Sequence, residues 1–349
     1  HRACKFCTLY DELPFKFKVS ELPTMESDLL EAQAWFHDPL SKIETRLFGL
    51  PAPKHCRVFL AGANPFALKA KRLIEISDLI REYFPSCKTI GCFARVTDVA
   101  SKTDDELAAL REAGYTGLTI GIETGDDAAL AFMNKGYAAQ DIVAQCARLD
   151  AADIAYAFFY LAGISGKGRG IEGARLTTAA CNQTRPSLIG ANMLTIYKNS
   201  ELYQEILDGN WEEETEIEKY QEIKALVEGL EIPVEFAMLG ASNPVMLQGR
   251  LPEQRGQLLA ALESIINDIG EYRLRSLPYQ PTTSISARLF PMTAHNLGVP
   301  MPFFFMIHSV VDDDFLTGFT MMTGSFTGLH VLFRMGGGVA GDVGSADVA

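Results

Sequence analysis

The chain has 349 residues, enough to bury a full core as one barrel-sized domain or as two domains. Hydrophobic residues make up 48% and charged residues 21%, which reads as globular, while a formal net charge of -13 argues against nonspecific nucleic-acid binding over the whole surface, since phosphate neutralisation needs Lys and Arg in excess. Seven cysteines with no regular spacing beyond the first pair do not form a disulfide framework and predict a reducing compartment, the cytoplasm. The apolar run around 302–311 is too short and too interrupted to span a bilayer.

Taken in order, the chain opens with HRACKFCTLY, in which Cys4-x-x-Cys7 lets one tight turn point two sulfurs at a single iron or zinc. That spacing alone fits a zinc knuckle or a pair of thiols as well. ESDLLEAQAWF predicts a helix with Leu29, Leu30 and Ala34 on one face. The run from Arg57 to Gly62 reads as a short buried strand, and the helical spacing of Leu68, Leu73, Ile76, Leu79, Ile80 and Phe84 stops at Pro85. A strand over 88–93 follows, then a capping-box opening at Thr103-Asp-Asp-Glu106 and a helix closed by Gly114. The unit then repeats: strand 117–122, helices from Asp126 and over 138–151, strand 154–161, helix 171–182, strand 188–194, helix 202–207. Strands separated by amphipathic helices imply a parallel sheet with right-handed crossovers. Beyond it lie a Glu-rich helix over 211–229, a strand from Val234 and a long amphipathic helix over 251–269. Cys56, Cys87, Cys92, Cys146 and Cys181 fall in or beside apolar runs and are expected as small buried residues. From about Pro281 charged residues thin out and no period is visible, so this tail is expected to be poorly ordered or the product of a reading-frame artefact.

Ligands of parallel α/β folds sit at the carboxyl ends of the strands, which directs attention to the residues just after each one. Ala61-Gly62-Ala63-Asn64-Pro65 follows the first: Gly62 allows close backbone approach, and the stretch is also an ordinary βα turn. Arg95 ends the next strand, where a buried guanidinium needs a carboxylate, supplied by a ligand or by Asp98. Gly121-Ile-Glu123-Thr-Gly125 places a carboxylate at the end of an apolar strand. Gly163 lies in a Gly-rich turn after the fourth strand, and Arg175 in the next helix is either within reach of a ligand or simply solvated.

Cys4-Lys5-Phe6-Cys7, completed by a cysteine directly before His1 to C-x-x-x-C-x-x-C, resembles the cluster loop of the radical S-adenosylmethionine (radical SAM) enzymes. GIETGDDAALAFMNKG resembles the G-x-E-S-G-S-x-x-x-L-x-x-M-x-K-G element of elongator-type and methylthiotransferase-like members, with Thr124 for Ser. The likeness runs from Cys4 to about Leu262 and resembles a stand-alone branch of the family; Lys198-Asn199 stands where related proteins read Pro-Gly, and Asn64-Pro65 where others carry an acidic residue.

The resemblance implies an α/β fold, a partial (β/α)6 TIM-like barrel with a C-terminal helical extension, and an N-terminally truncated chain whose first strand and third cluster cysteine lie upstream of His1. It divides the chain into a core barrel (1–210), an extension (211–280) and the atypical tail (281–349). It implies a [4Fe-4S] cluster on Cys4 and Cys7 and S-adenosylmethionine held by Gly62, Asn64, Arg95, Glu123, Gly125, Gly163 and Arg175. The activity implied is reductive cleavage of S-adenosylmethionine and hydrogen abstraction from a small-molecule or macromolecular substrate, with an electron donor such as flavodoxin or ferredoxin. No second cluster motif is visible, which speaks against sulfur insertion. The competing expectations are a non-catalytic zinc-binding barrel and an inactive fragment.

Overall fold

The computed structural model describes residues 4–8, 22–37, 56–61, 64–240, 242–276 and 304–308. Helix α1 (Leu22–His37) precedes a run of alternating elements: β1 (Cys56–Ala61), α2 (Ala70–Tyr83), β2 (Cys87–Ala94), α3 (Val96–Ala100), α4 (Asp104–Glu112), β3 (Tyr115–Glu123), α5 (Asp127–Phe132), α6 (Ala139–Ala151), β4 (Ala155–Ala162), α7 (Gly170–Cys181), β5 (Leu188–Met193), α8 (Glu201–Leu207), α9 (Glu216–Gly229) and β6 (Val234–Met238). They are followed by β7 (Leu247–Leu251), α10 (Arg255–Ser264), α11 (Glu271–Ser276) and β8 (Phe304–His308).

The eight strands form one sheet in the order β7-β6-β5-β4-β3-β2-β1-β8. Strands β1 to β6 are parallel and keep their sequence order, β7 is antiparallel to β6, and β8 is parallel to β1. A parallel sheet whose order never reverses, wound by right-handed crossovers, carries its helices on one side. This is the winding of a partial barrel, and the expected α/β class is what the chain adopts. The strand expected before Cys4 lies outside the described residues; at the edge of β1 stands β8, with Val58 in register with Phe305.

Alternation along the strands decides which side is core. On β3, Leu118, Ile120 and Ile122 are buried, as are Tyr156, Phe158 and Tyr160 on β4, and they meet Leu73, Ile76 and Ile80 of α2, Ile142 and Leu149 of α6 and Ile223 and Leu226 of α9 in one cluster. Each fully buried Leu, Ile or Phe contributes about 1.5–3 kcal/mol, so this helix-covered side holds the fold together. The opposite side carries half-buried residues: Phe59, Phe93, Thr119 and Phe159. Phe59 and Phe93 meet edge to face at 4.9 Å between ring centres, and Phe93 stands 6.1 Å from Phe159.

Local chemistry sets the boundaries. Thr103 and Glu106 exchange capping hydrogen bonds of 3.1 and 2.9 Å at the start of α4, and Gly114 follows its end at φ 96°. Thr215 and Glu218 do the same for α9, so that helix begins at Glu216 and not near Trp211. The expected helix over 251–269 is corrected in the same way. Leu251 ends β7, and α10 starts at Arg255 and passes into a π turn at Ile265–Ile269. Of the tail from Pro281, only β8 is described. Cys87, Cys92, Cys146 and Cys181 are buried, as expected for small apolar residues.

Candidate functional site

The Cys4–Cys7 turn closes with a hydrogen bond from Cys7 N–H to the Cys4 carbonyl at 3.0 Å, which leaves both sulfurs on one short loop. Its place is set by its neighbours on either side. Lys5 N–H donates to the Met133 carbonyl (3.3 Å), and the Lys5 carbonyl accepts from Leu202 N–H at the start of α8 (2.8 Å). The Lys5 ammonium pairs with Glu205 of α8 and lies 4.5 Å from the centre of the Phe132 ring. Phe6 packs into a small apolar cluster of Met133, Ile164, Leu194 and Leu202. The turn is thereby docked at the carboxyl edge of the sheet, against the segments that leave β3, β4 and β5.

Glu123 is the last residue of β3. A register shift between Gly121 and Glu123 and a φ of 59° turn its side chain back over the strand, and Thr124 N–H bonds the Ile122 carbonyl at 2.7 Å around it. A positive φ at a non-glycine residue costs of order 1–3 kcal/mol and persists only where the surroundings impose it. Here the imposing group is Lys135. Past α5 the chain takes left-handed conformations at Asn134 (φ 58°) and Gly136 (φ 82°), which return Lys135 toward the strand. Its ammonium reaches Glu123 Oε1 at 2.9 Å and lies 5.8 Å from the centre of the Phe6 ring. Burial by itself lowers the affinity of Lys135 for its proton; the charges of Glu123, Tyr137 and Cys4 outweigh burial and hold it above the ordinary lysine value.

Arg95 follows β2. Its guanidinium donates to the Lys135 carbonyl at 2.9 Å and lies 4.0 Å from the Cys4 sulfur. Of the two partners expected for the guanidinium, Asp98 is not one: Asp98 Oδ2 accepts from the Arg95 backbone N–H at 2.7 Å instead. Burial pushes the Asp98 carboxyl up, against the opposing effect of that N–H and of the Asn64 side chain. Asn64, at the exit of β1, thus uses one end of its amide on Asp98, while its Oδ1 is buried with no hydrogen-bond partner among the described residues.

The structure therefore brings Cys4, Cys7, Arg95 and Glu123 to one edge, with Asn64 beside Asp98. Gly62 lies outside the described residues. Gly125 has a packing reason for lacking a side chain: a Cβ there would meet Thr177 Cα at 2.7 Å and the Leu176 carbonyl oxygen at 2.8 Å, and its N–H donates to Thr177 Oγ1 at 2.7 Å. Its bare face is turned to α7. Gly163 adopts φ 89° and gives its N–H to Glu222 at 2.7 Å. Arg175 does not join the set. It is 69% exposed, pairs with Glu172 at 3.6 Å and lines a groove with Ile171, Lys224 and Glu228 on the helical side. Lys5 and Lys135 fall inside the Cys4–Cys7 and GIETGDDAALAFMNKG motifs, which by themselves assign them no role. For Lys135 the signal was present in Asn134-Lys-Gly136, two residues tolerant of left-handed backbone flanking a cation.

Two thiols on one turn, beside a guanidinium and an ammonium, suit an anionic iron-thiolate group. Among the described residues no three His, Cys, Asp or Glu side chains gather to hold a metal, so the turn supplies two donors and no more. Among them, too, no helix is long and apolar enough to cross a membrane.

No family model matches the chain, and no curated protein matches it. Among solved structures it is similar to the archaeal Elp3 of Methanocaldococcus infernus with residues 1–46 deleted, at 13% identity and a TM-score of 0.48 over 68% of this chain and 59% of that one. It is also similar to the radical SAM enzyme HemN, coproporphyrinogen III oxidase of Escherichia coli, at 14% identity and a TM-score of 0.47 over 65% of this chain and 49% of that one. A third is methylornithine synthase, PylB, at 14% identity and a TM-score of 0.43 over 67% and 60%. The chain spans about half to three fifths of the length of these proteins.

Proposed function

We propose that the chain is a radical SAM enzyme in which Cys4 and Cys7 supply two of the three thiolates of a [4Fe-4S] cluster. The third comes from outside the described residues; the position before His1 is where the C-x-x-x-C-x-x-C spacing puts it. The observation that carries this reading is the docking of the Cys4–Cys7 turn at the carboxyl edge of a parallel sheet, with the Arg95 guanidinium 4.0 Å from the Cys4 sulfur. When bound, the cluster and S-adenosylmethionine supply one-electron cleavage of the sulfonium and removal of hydrogen from a substrate.

The residues of the chain bind and orient. Arg95 and Lys135 place positive charge beside the turn, which suits an anionic group bound there. Glu123, fixed by Lys135, offers its second carboxylate oxygen to hydroxyl donors, and Asn64 Oδ1 offers an acceptor to an ammonium group. Phe6 and its apolar neighbours keep water from the loop.

Anaerobic reconstitution of the protein with its upstream residues, followed by iron and sulfide assays and an absorption spectrum, tests the reading. About four irons per chain are expected, with loading lost in Cys4→Ser and in Cys7→Ser and S-adenosylmethionine cleaved under reduction. Zinc alone, no metal, or iron loading indifferent to both substitutions overturns it.

A further inference from the structure

Behind the exit of β4, on the helix-covered side, two glutamates face each other in the core. Glu214 is 1% exposed and Glu222 of α9 is fully buried. Both oxygens of Glu222 are engaged: Tyr160 O–H donates to one, and Gly163 N–H donates to the other at 2.7 Å. Glu214 lies against Gly170 at the start of α7, and its Oε2 is buried with no hydrogen-bond partner among the described residues. Gly170 is the cradle for both. A Cβ there would stand 2.8 Å from Glu214 Oε2 and 2.7 Å from Glu222 Oε2, so the two carboxyl groups converge on the space that the glycine leaves.

The charged and titratable neighbours do not neutralise this pair. Lys219 is buried beside it, yet its ammonium donates to Glu213 and Glu216, at 2.9 Å each. Glu218 is bound to the Thr215 N–H. On β4 the Tyr160 hydroxyl, and on α7 the Cys181 thiol, are both pushed up by burial and stay neutral. Two carboxylates this close and this buried cannot both ionise without a cation between them.

We infer that Glu214 and Glu222 share one proton at neutral pH, held between Glu214 Oε2 and Glu222, and that this acid–carboxylate pair clamps the turn over 163–170. A proton there gives the orphaned oxygen its partner. The pair then holds both ends of the turn: Glu222 fixes the Gly163 N–H where β4 ends, and Glu214 packs against Gly170 where α7 begins. Burial raises both groups; Glu214 raises Glu222 further, while the Glu222 side chain and Lys219 act to lower Glu214, so the titration belongs to the pair and not to either residue. Once the second charge appears, the two ends of the turn are pushed apart. The inference is independent of any cofactor, and it makes both glutamates positioning residues for a turn at the carboxyl edge.

The sign of the linkage follows. Carboxyl groups raised in the folded state stabilise it below their unfolded value of about 4.3 and lose that contribution as pH rises toward the pair's own value. A one-proton linkage changes the folding equilibrium tenfold per pH unit in that window. The test is a pH titration of the full-length protein carrying 13Cδ-glutamate, read by NMR, with unfolding midpoints measured in parallel on Glu214→Gln, whose amide keeps a permanent donor at that position. One glutamate resonance at the protonated position at pH 7 is expected, absent in the variant, together with a stability difference between the two proteins that steepens by one proton. Amide protection at Gly163 is expected to fall with pH in the wild type only. The wild-type spectrum decides even where the variant does not fold: if every glutamate titrates in the ordinary carboxyl range, the shared proton does not exist.

Discussion

Lys135 retains 4% of its side-chain surface and spends its charge on Glu123, which sits in a left-handed conformation that its own side chain disfavours. Removing the ammonium leaves a carboxylate largely buried and a strained turn without its tether. Lys135→Met is therefore expected to cost about 3–5 kcal/mol, the usual penalty for breaking a buried pair from one side. The urea midpoint measures it, and adding Glu123→Gln to the same protein should restore much of the loss. Arg95 and Glu123 were visible in the sequence because each ends an apolar run, a place where a charge demands a reason. The pairing of Lys135 with Glu123 was not, since the two lie 12 positions apart and a contact of that kind leaves no periodic trace. The Glu214–Glu222 pair was hidden more deeply, because in a Glu-rich segment nothing in composition separates the buried glutamates from the solvated ones.

Helix α7 and the loop after β3 touch backbone to backbone at Gly125. Gly125→Ala forces a Cβ against Thr177 Cα and the Leu176 carbonyl, neither of which can rotate away, so about 1–3 kcal/mol of destabilisation is expected from the overlap. Thermal unfolding of the variant checks this, and an unchanged midpoint would contradict the packing role. On α1, burial and the nearby Glu31 raise the Asp28 carboxyl to about 6, and neither of its oxygens has a hydrogen-bond partner among the described residues. The helix is held best while Asp28 is protonated and loses that contribution as pH climbs from the ordinary carboxyl range through about 6. Asp28→Asn should accordingly raise the unfolding midpoint above pH 6 and leave it unchanged near pH 4, as a pair of melting series would show. At this scale most elements were legible from period and caps; α4, with Thr103 before it and Gly114 after it, lies where those signals put it. Strand β7 was missed because LQGRL is five residues long and holds a glycine, and the following apolar spacing reads as one continuous helix.

Across the whole molecule, the net charge of -13 sets the long-range field. Duplex DNA should show no salt-dependent binding at physiological ionic strength, and fluorescence anisotropy with a labelled duplex would reveal a basic groove if one existed. The singly wound α/β arrangement was readable from the repeated strand–helix alternation. The edges were not, since which strand pairs at a sheet margin depends on contacts between distant segments. Val58 of β1 and Phe305 of β8 share a register although they lie 247 positions apart.

The anchoring of the Cys4–Cys7 turn carries a kinetic consequence. Its backbone is tied to Met133 and Leu202, and its lysine to a carboxylate 200 positions along. A loop whose described anchors close over such separations takes its shape only once β3, β4, β5 and α8 stand in place, and it is expected to open before them. Thiol accessibility at these two cysteines is therefore a gauge of the last step of folding and the first of unfolding. A metal captured there would act as a latch across four elements far apart in the chain, slowing the opening of the whole carboxyl edge.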